Sequence, residues 1–217
     1  MKNASKKTFI TNSIKAIALV AMAFGYASVV QADERGKQLY TNCIACHQPD
    51  GLGNQLLNAP AIAGLSQKYT ASQLEKFHSG VRGGVVEDTT GLLMRPFGQV
   101  IQTEEDRQAI GAYIATLESK AQPVTIEGGD AEKGKMLYMV CQACHGANGE
   151  GNDLMNSPSL SNQHDWYLAR QLHNFKDGIR GSNPKDITGA QMRPMAMMLA
   201  DEQAINDVVA YIQSLSK

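Results

Sequence analysis

Two short stretches hold all four cysteines of the chain, and each sets its thiols beside an imidazole: Cys43, Cys46 and His47 in TNCIACHQPDG, and Cys141, Cys144 and His145 in VCQACHGANGE. On a helix, positions i and i+3 share a face and i+4 lies next to them. Each pair can therefore grip one edge of a planar ligand while the histidine points at its centre. Thiols added to the two vinyl groups of a haem, with the imidazole on iron, meet that description, and C-x-x-C-H is the attachment signal of c-type haem. Other chemistries fit less well. A redox C-x-x-C belongs to a βαβ setting that is absent here. A Cys/His zinc site takes four ligands at finger-like spacings, and joining both pairs in one zinc site would tie together units that repeat separately. A plain disulfide explains neither histidine. The expectation is two covalently attached c-type haems.

The second axial ligand follows from repetition. Shifting the chain by 98 positions aligns its halves without a gap: Gly36 meets Gly134, Tyr40 Tyr138, Cys43 Cys141, Pro60 Pro158, Phe77 Phe175, Arg82 Arg180, Tyr113 Tyr211. A duplicated site should use one residue type in both halves. His78, His164 and His173 face Lys176, Ser66 and Glu75, so no further histidine is paired. Met94 is the one methionine of the first unit after the leader, and it meets Met192; both lie 47 residues after their histidine. Thioether ligation is typical of electron carriers and raises the potential. Met195, Met197 and Met198 have no methionine partners and read as core filler, although a Cu(I) site at MRPMAMM is conceivable. Lys37 and Lys135 also repeat and read as solvated.

Pro60 and Pro158 follow their histidines by 13 residues. They either turn a loop or place a carbonyl to accept the imidazole N–H and fix its tautomer. For the repeated arginines, Arg82 with Arg180 and Arg95 with Arg193, simple exposure and pairing with haem propionates both stay open. Trp166 is unpaired and reads as local packing.

The elements that position these groups read as helical. Thr103 and Asp201 can cap helices with apolar stripes at Ile110, Tyr113, Ile114, Leu117 and at Val208, Tyr211, Ile212, Leu215. A middle helix sets Leu74, Phe77 and Val81 on one face, matched by Leu172, Phe175 and Ile179. A short first helix carries Gly36 and Tyr40, or Gly134 and Tyr138, with the glycines letting Tyr113 and Tyr211 approach. Segments between these helices, rich in Gly, Pro, Asn and Ser, read as loops. Two repeats are too few for a solenoid, so two domains are expected, 33–121 and 130–217, joined by a linker at 122–129 where Pro123 and Gly128-Gly129 break any periodicity. Only 6% of the chain is aromatic, and a domain of about 90 residues buries little by itself. A large flat cofactor would fill that deficit.

Residues 1–32 carry four lysines, no acid and the apolar run AIALVAMAFGYASVV. This reads as a cleaved secretory signal, since about 15 apolar residues fall short of the roughly 20 that cross a bilayer. Cleavage leaves 16 basic against 21 acidic side chains, a net charge of −5. No basic stripe survives, which argues against nucleic acid.

With the attachment pairs, the prolines, both MRP methionines and the motifs YTASQLEKFHSGVRG and YLARQLHNFKDGIRG on view, nearly all of the mature chain resembles the dihaem cytochrome c4 family. The resemblance implies an all-α fold of two tandem class I cytochrome c domains, related by internal duplication and facing each other across a pseudo-twofold axis. It implies Cys43, Cys46, His47 and Met94 around one haem and Cys141, Cys144, His145 and Met192 around the other. It also implies a periplasmic or membrane-surface electron carrier, with a quinol-oxidising complex or reductase upstream and a terminal oxidase downstream. The rival readings are a dihaem oxidoreductase of peroxidase or thiosulfate-oxidising type and an electron-wire subunit of a larger complex. An enzyme would need one iron to lose its methionine, yet both halves keep theirs.

Overall fold

The computed structural model describes residues 34–216; the expected export signal at 1–32 lies outside them. The described chain is helical, and its strand-like pairing is limited to isolated bridges at Asn54 with Ala59 and Asn152 with Ser157. The first unit runs α1 (34–40), α2 (Ile44–His47), α3 (Gln67–His78), α4 (Thr89–Val100) and α5 (Glu104–Thr116). The second repeats it as α6 (Ala131–Tyr138), α7 (Gln142–His145), α8 (Asp165–Lys176), α9 (Ile187–Met197) and α10 (Glu202–Ser214).

Helix α5 starts where the Thr103 hydroxyl accepts the Asp106 N–H, and α10 where the Asp201 carboxylate accepts the Ala204 N–H. Acidic residues in the first turns, Glu104 to Asp106 and Glu202, suit the positive end of the helix dipole. The first and last helices of each unit cross at a glycine. A Cβ on Gly36 would lie 2.9 Å from that of Tyr113 and would collide with the Ala109 carbonyl; Gly134 meets Tyr211 and the Asp207 carbonyl in the same way. The crossing packs Tyr40 against Tyr113 at 5.2 Å and Tyr138 against Tyr211 at 5.3 Å between ring centres, the rings tilted by 54° and 56°.

Around each crossing lies a small core. Tyr40, Leu74, Ile101, Ile110 and Ile114 form the first; Tyr138, Leu168, Ala169, Leu199, Ile205, Val208, Val209 and Ile212 form the second. Leu74 and Phe77 are buried on α3 as expected, but Val81 and Ile179 lie beyond the helix ends. There Gly80 and Gly178, at φ of +75° and +76°, turn the chain away.

The segments bearing both methionines are α4 and α9 rather than loops. Buried Asp88 accepts the Gly91 N–H at 3.0 Å, and Asp186 that of Gly189 at 3.0 Å, so each helix has an N-cap. Pro96 and Pro194 lie inside these helices, where each removes one rung of the ladder; with the neighbouring glycines, that made the stretch read as loop. The connection between units docks on the second. The Asp165 carboxylate, 1% exposed, accepts the Thr125 hydroxyl and the Ile126 N–H at 2.7 Å each. Burial alone would raise its pKa, but these donors hold it below the usual carboxylate range.

Candidate functional site

Each motif histidine is fixed by the helices of its own unit. Helix α2 begins at Cys43, whose N–H reaches back to the Tyr40 carbonyl at 2.8 Å, and ends at Gln48, which takes φ of +67°. The Tyr40 hydroxyl donates to the Gln48 carbonyl at 2.8 Å. In the second unit the Tyr138 hydroxyl donates to Gly146, the residue following His145, at 2.9 Å. The buried tyrosine at the helix crossing thus locks the turn that carries the histidine.

His47 Nδ1 lies 2.9 Å from the Pro60 carbonyl, and His145 Nδ1 lies 2.9 Å from that of Pro158. A carbonyl only accepts, so Nδ1 carries the hydrogen. Burial lowers both imidazole pKa values; the rings are neutral and Nε2 keeps its lone pair. Of the two roles open to the prolines, the geometry places their carbonyls on the imidazoles.

The four thiols are free. Burial pushes Cys43 and Cys141 up to about 11; since the thiolate is the nucleophile, neither reacts readily unaided. Among the described residues no three His, Cys, Asp or Glu side chains gather as a metal cage.

One cavity of about 270 Å³ is shared by both units. His47, Met94 and Cys43 line one part of it, and His145, Met192, Cys141 and Cys144 the other; Cys46 is not on its wall. The walls are mostly apolar, with Leu74, Phe77 and Ile110 matched by Leu172, Phe175 and Val208. Met195 also lines the cavity, whereas Met197 and Met198 are exposed. Exposed Lys37 and Lys135 are solvated as expected. Trp166 stacks on His164 at 5.0 Å.

Where the units meet, the wall is charged. Arg82 and Arg180 are buried, and each guanidinium lies over the phenylalanine of its own unit, 4.3 Å from Phe77 and 4.4 Å from Phe175. They donate to Gln73 at 2.9 Å and Gln171 at 2.6 Å, but neither Nε has a partner and neither side chain forms an ion pair. A buried, unpaired guanidinium is costly unless an anion joins it. An apolar slot with a soft nitrogen and sulfur donor set, two thiols and cationic groups at its inner end fits a haem with its propionates.

Residues that repetition could not reveal close the interface. Gln163 brackets Ala61, accepting its N–H at 3.0 Å and donating to its carbonyl at 2.7 Å. His164 Nε2 donates to the Leu52 carbonyl at 2.9 Å. Arg170 reaches Asn58 Oδ1 at 3.1 Å while Asn156 reaches the Ser72 hydroxyl at 3.1 Å, a pseudo-twofold pair of contacts. Lys76 crosses to Asp186. The one available signal was negative: Gln163, His164 and Lys76 stand where the repeat has Leu65, Ser66 and Asn174.

Comparison with known proteins agrees with this construction. The Cytochrome c family model matches the chain twice, at residues 34–118 and 131–216. Cytochrome c4 of Azotobacter vinelandii is 30% identical over 181 residues, which span 80% of this chain and 84% of that protein. The crystal structure of reduced recombinant cytochrome c4 from Pseudomonas stutzeri superposes with a TM-score of 0.62 at 28% identity, covering 83% of this chain and 97% of that one. Thiosulfate dehydrogenase from Marichromatium purpuratum superposes with a TM-score of 0.68 at 28% identity, covering 84% of this chain; the match spans 40% of that longer chain. The chain therefore belongs to the dihaem cytochrome c4 family, with two tandem cytochrome c domains and two covalently attached c-type haems.

Proposed function

We propose that this electron-transfer protein works in the periplasm, taking electrons singly from a quinol-oxidising complex or other reductase and delivering them to a terminal oxidase. In this reading residues 1–32 direct export and are removed, leaving a domain at 33–121, a linker at 122–129 and a domain at 130–217. Cys43 and Cys46 anchor the first haem and Cys141 and Cys144 the second. His47 and Met94 would hold the iron in the first domain, and His145 and Met192 the iron in the second.

The observation that carries the reading is the coincidence, in both units, of a neutral histidine held through Nδ1 by a proline carbonyl and a methionine on the wall of the same cavity. The haem supplies one-electron chemistry between ferrous and ferric iron. The protein does the rest. The Pro60 and Pro158 carbonyls fix ring angle and tautomer, the apolar walls exclude water, and Arg82 and Arg180 supply buried positive charge where the domains meet. A haem held by a histidine nitrogen and a methionine sulfur in each domain would leave its iron no open position for a small substrate.

A second reading rests on the partial match to a thiosulfate dehydrogenase: the chain would serve as the electron-accepting module beside such an enzyme, or catalyse that oxidation. Anaerobic titration of the isolated holoprotein separates these. The carrier takes up two electrons per chain, stays low-spin throughout and does not bind carbon monoxide when reduced. Turnover of thiosulfate or peroxide by the chain alone, or carbon monoxide binding to either haem, contradicts it.

A further inference from the structure

The pseudo-twofold relation between the domains breaks at a charge. Asp88 and Asp186 occupy the same repeat position, are 2% and 0% exposed, and cap the helices that carry the methionines. Asp88 accepts the Gly83 N–H at 2.8 Å on one oxygen and the Gly91 N–H at 3.0 Å on the other, and forms no ion pair. At Asp186 the Gly189 N–H reaches Oδ1 alone, and the ammonium of Lys76, arriving from the first domain, lies 2.7 Å from that oxygen and 2.6 Å from the Thr188 hydroxyl. The residue that repeats Lys76 is Asn174, which carries no charge to give Asp88.

The cavity wall includes Lys76, Gly91, Thr188 and Gly189, so both carboxylates stand just behind it. Within each domain one arginine acts on the buried carboxylate, Arg82 on Asp88 and Arg180 on Asp186, and Tyr69 and Tyr167 lie near both guanidiniums. Arg170 is the one cation that faces Asp88 from the second domain. Its guanidinium bonds to Asn58 and lies over the Trp166 ring instead of pairing with the carboxylate. One buried carboxylate is neutralised by contact and its twin is not.

A fixed negative charge in a medium of low dielectric favours the more positive partner of a redox couple, here the ferric state, and so lowers the potential of the nearer haem. Resting on the dihaem reading above, we propose that the Lys76–Asp186 pair sets the two haems apart in potential, with the higher one in the second domain. An electron entering the molecule then settles on the second haem.

The test is a spectroscopic redox titration of the holoprotein, its steps assigned through Met94→Ala and Met192→Ala, each of which lowers the step of its own haem. Lys76→Asn lowers the second-domain step and narrows the separation. Asn174→Lys raises the first-domain step while leaving the native pair intact, which keeps the test open if Lys76→Asn folds poorly. The exchange Lys76→Asn/Asn174→Lys inverts the order of the steps, and Lys120→Gln, at an exposed lysine, moves neither. Wild-type haems of equal potential, or steps that stay put in variants retaining both haems, overturn the proposal. A chain that carries fewer than two haems overturns the dihaem reading beneath it, and the haem count tells the two failures apart.

Discussion

At one repeat position the two domains pack the same corner with opposite chemistry. Arg107, 7% exposed, donates to the Ile101 and Gln102 carbonyls at 3.0 and 3.2 Å and pairs with Glu75 at 2.8 Å and Glu104 at 3.2 Å. Its counterpart Ile205, 1% exposed, packs among Tyr138, Leu199 and Val208. Nearby, Thr70 and Gly111 of the first domain stand against Leu168 and Val209 of the second. The first domain thus has the thinner apolar core and leans on a polar clamp and on its cofactor; the second carries more of its own stability. Repetition of the haem-binding residues coexists with this divergence because the cofactor constrains the cavity wall and leaves the outer corner free to vary.

The sharpest way to break that comparison is to remove the cofactor anchors one domain at a time. Cys43→Ser/Cys46→Ser should unfold the first domain, with the far-UV helical signal falling by about half, as ten helices divide evenly between the units. Cys141→Ser/Cys144→Ser should leave the second domain more of its helix. Equal losses would contradict the unequal cores.

Urea unfolding of the holoprotein sharpens the contrast at the single corner. Ile205→Ala should destabilise by about 3 kcal/mol, the usual range for a buried isoleucine with an uncollapsed cavity. Arg107→Ala should cost about 2 kcal/mol. The buried Ile101 carbonyl and the part-buried Gln102 carbonyl lose their donor, whereas Glu75 and Glu104, both about half exposed, return to water at little cost. Should Arg107→Ala cost more than Ile205→Ala, the clamp is the stronger device.

The smallest effect is one of pH. Burial lowers the pKa of His164, which has Ser66 as its non-titrating twin. Above the ordinary histidine value of about 6.5 both folded and unfolded states are neutral there and stability is full. As pH falls below that value the unfolded chain takes the proton first, so this contribution is lost on acidification. His164→Gln, which can still donate to the Leu52 carbonyl, should flatten that part of the dependence in unfolding curves; an unchanged slope would show that His164 does not contribute it.

What repeated was legible in the sequence. The thiol pairs, the prolines that hold the histidines, the Gly36–Tyr113 and Gly134–Tyr211 crossings and the Thr103 and Asp201 caps could all be read because chemistry or close packing demands the same residue twice, and the methionines paired in the same way both lie on the cavity wall. Helices α4 and α9 escaped, since internal Pro96 and Pro194 outweighed a weak apolar pattern that only the Asp88 and Asp186 caps and tertiary packing stabilise. The interface escaped for a different reason. Lys76 and Asp186, or Gln163 and Ala61, are more than a hundred residues apart, and a repeat compares equivalent positions without showing which of them touch.

The account stands or falls on methionine sulfur at both irons. The oxidised holoprotein should show a sulfur-to-iron charge-transfer band that halves in Met94→Ala, halves in Met192→Ala and vanishes in the double variant. A band of undiminished intensity in either single variant, with both haems retained, would contradict it.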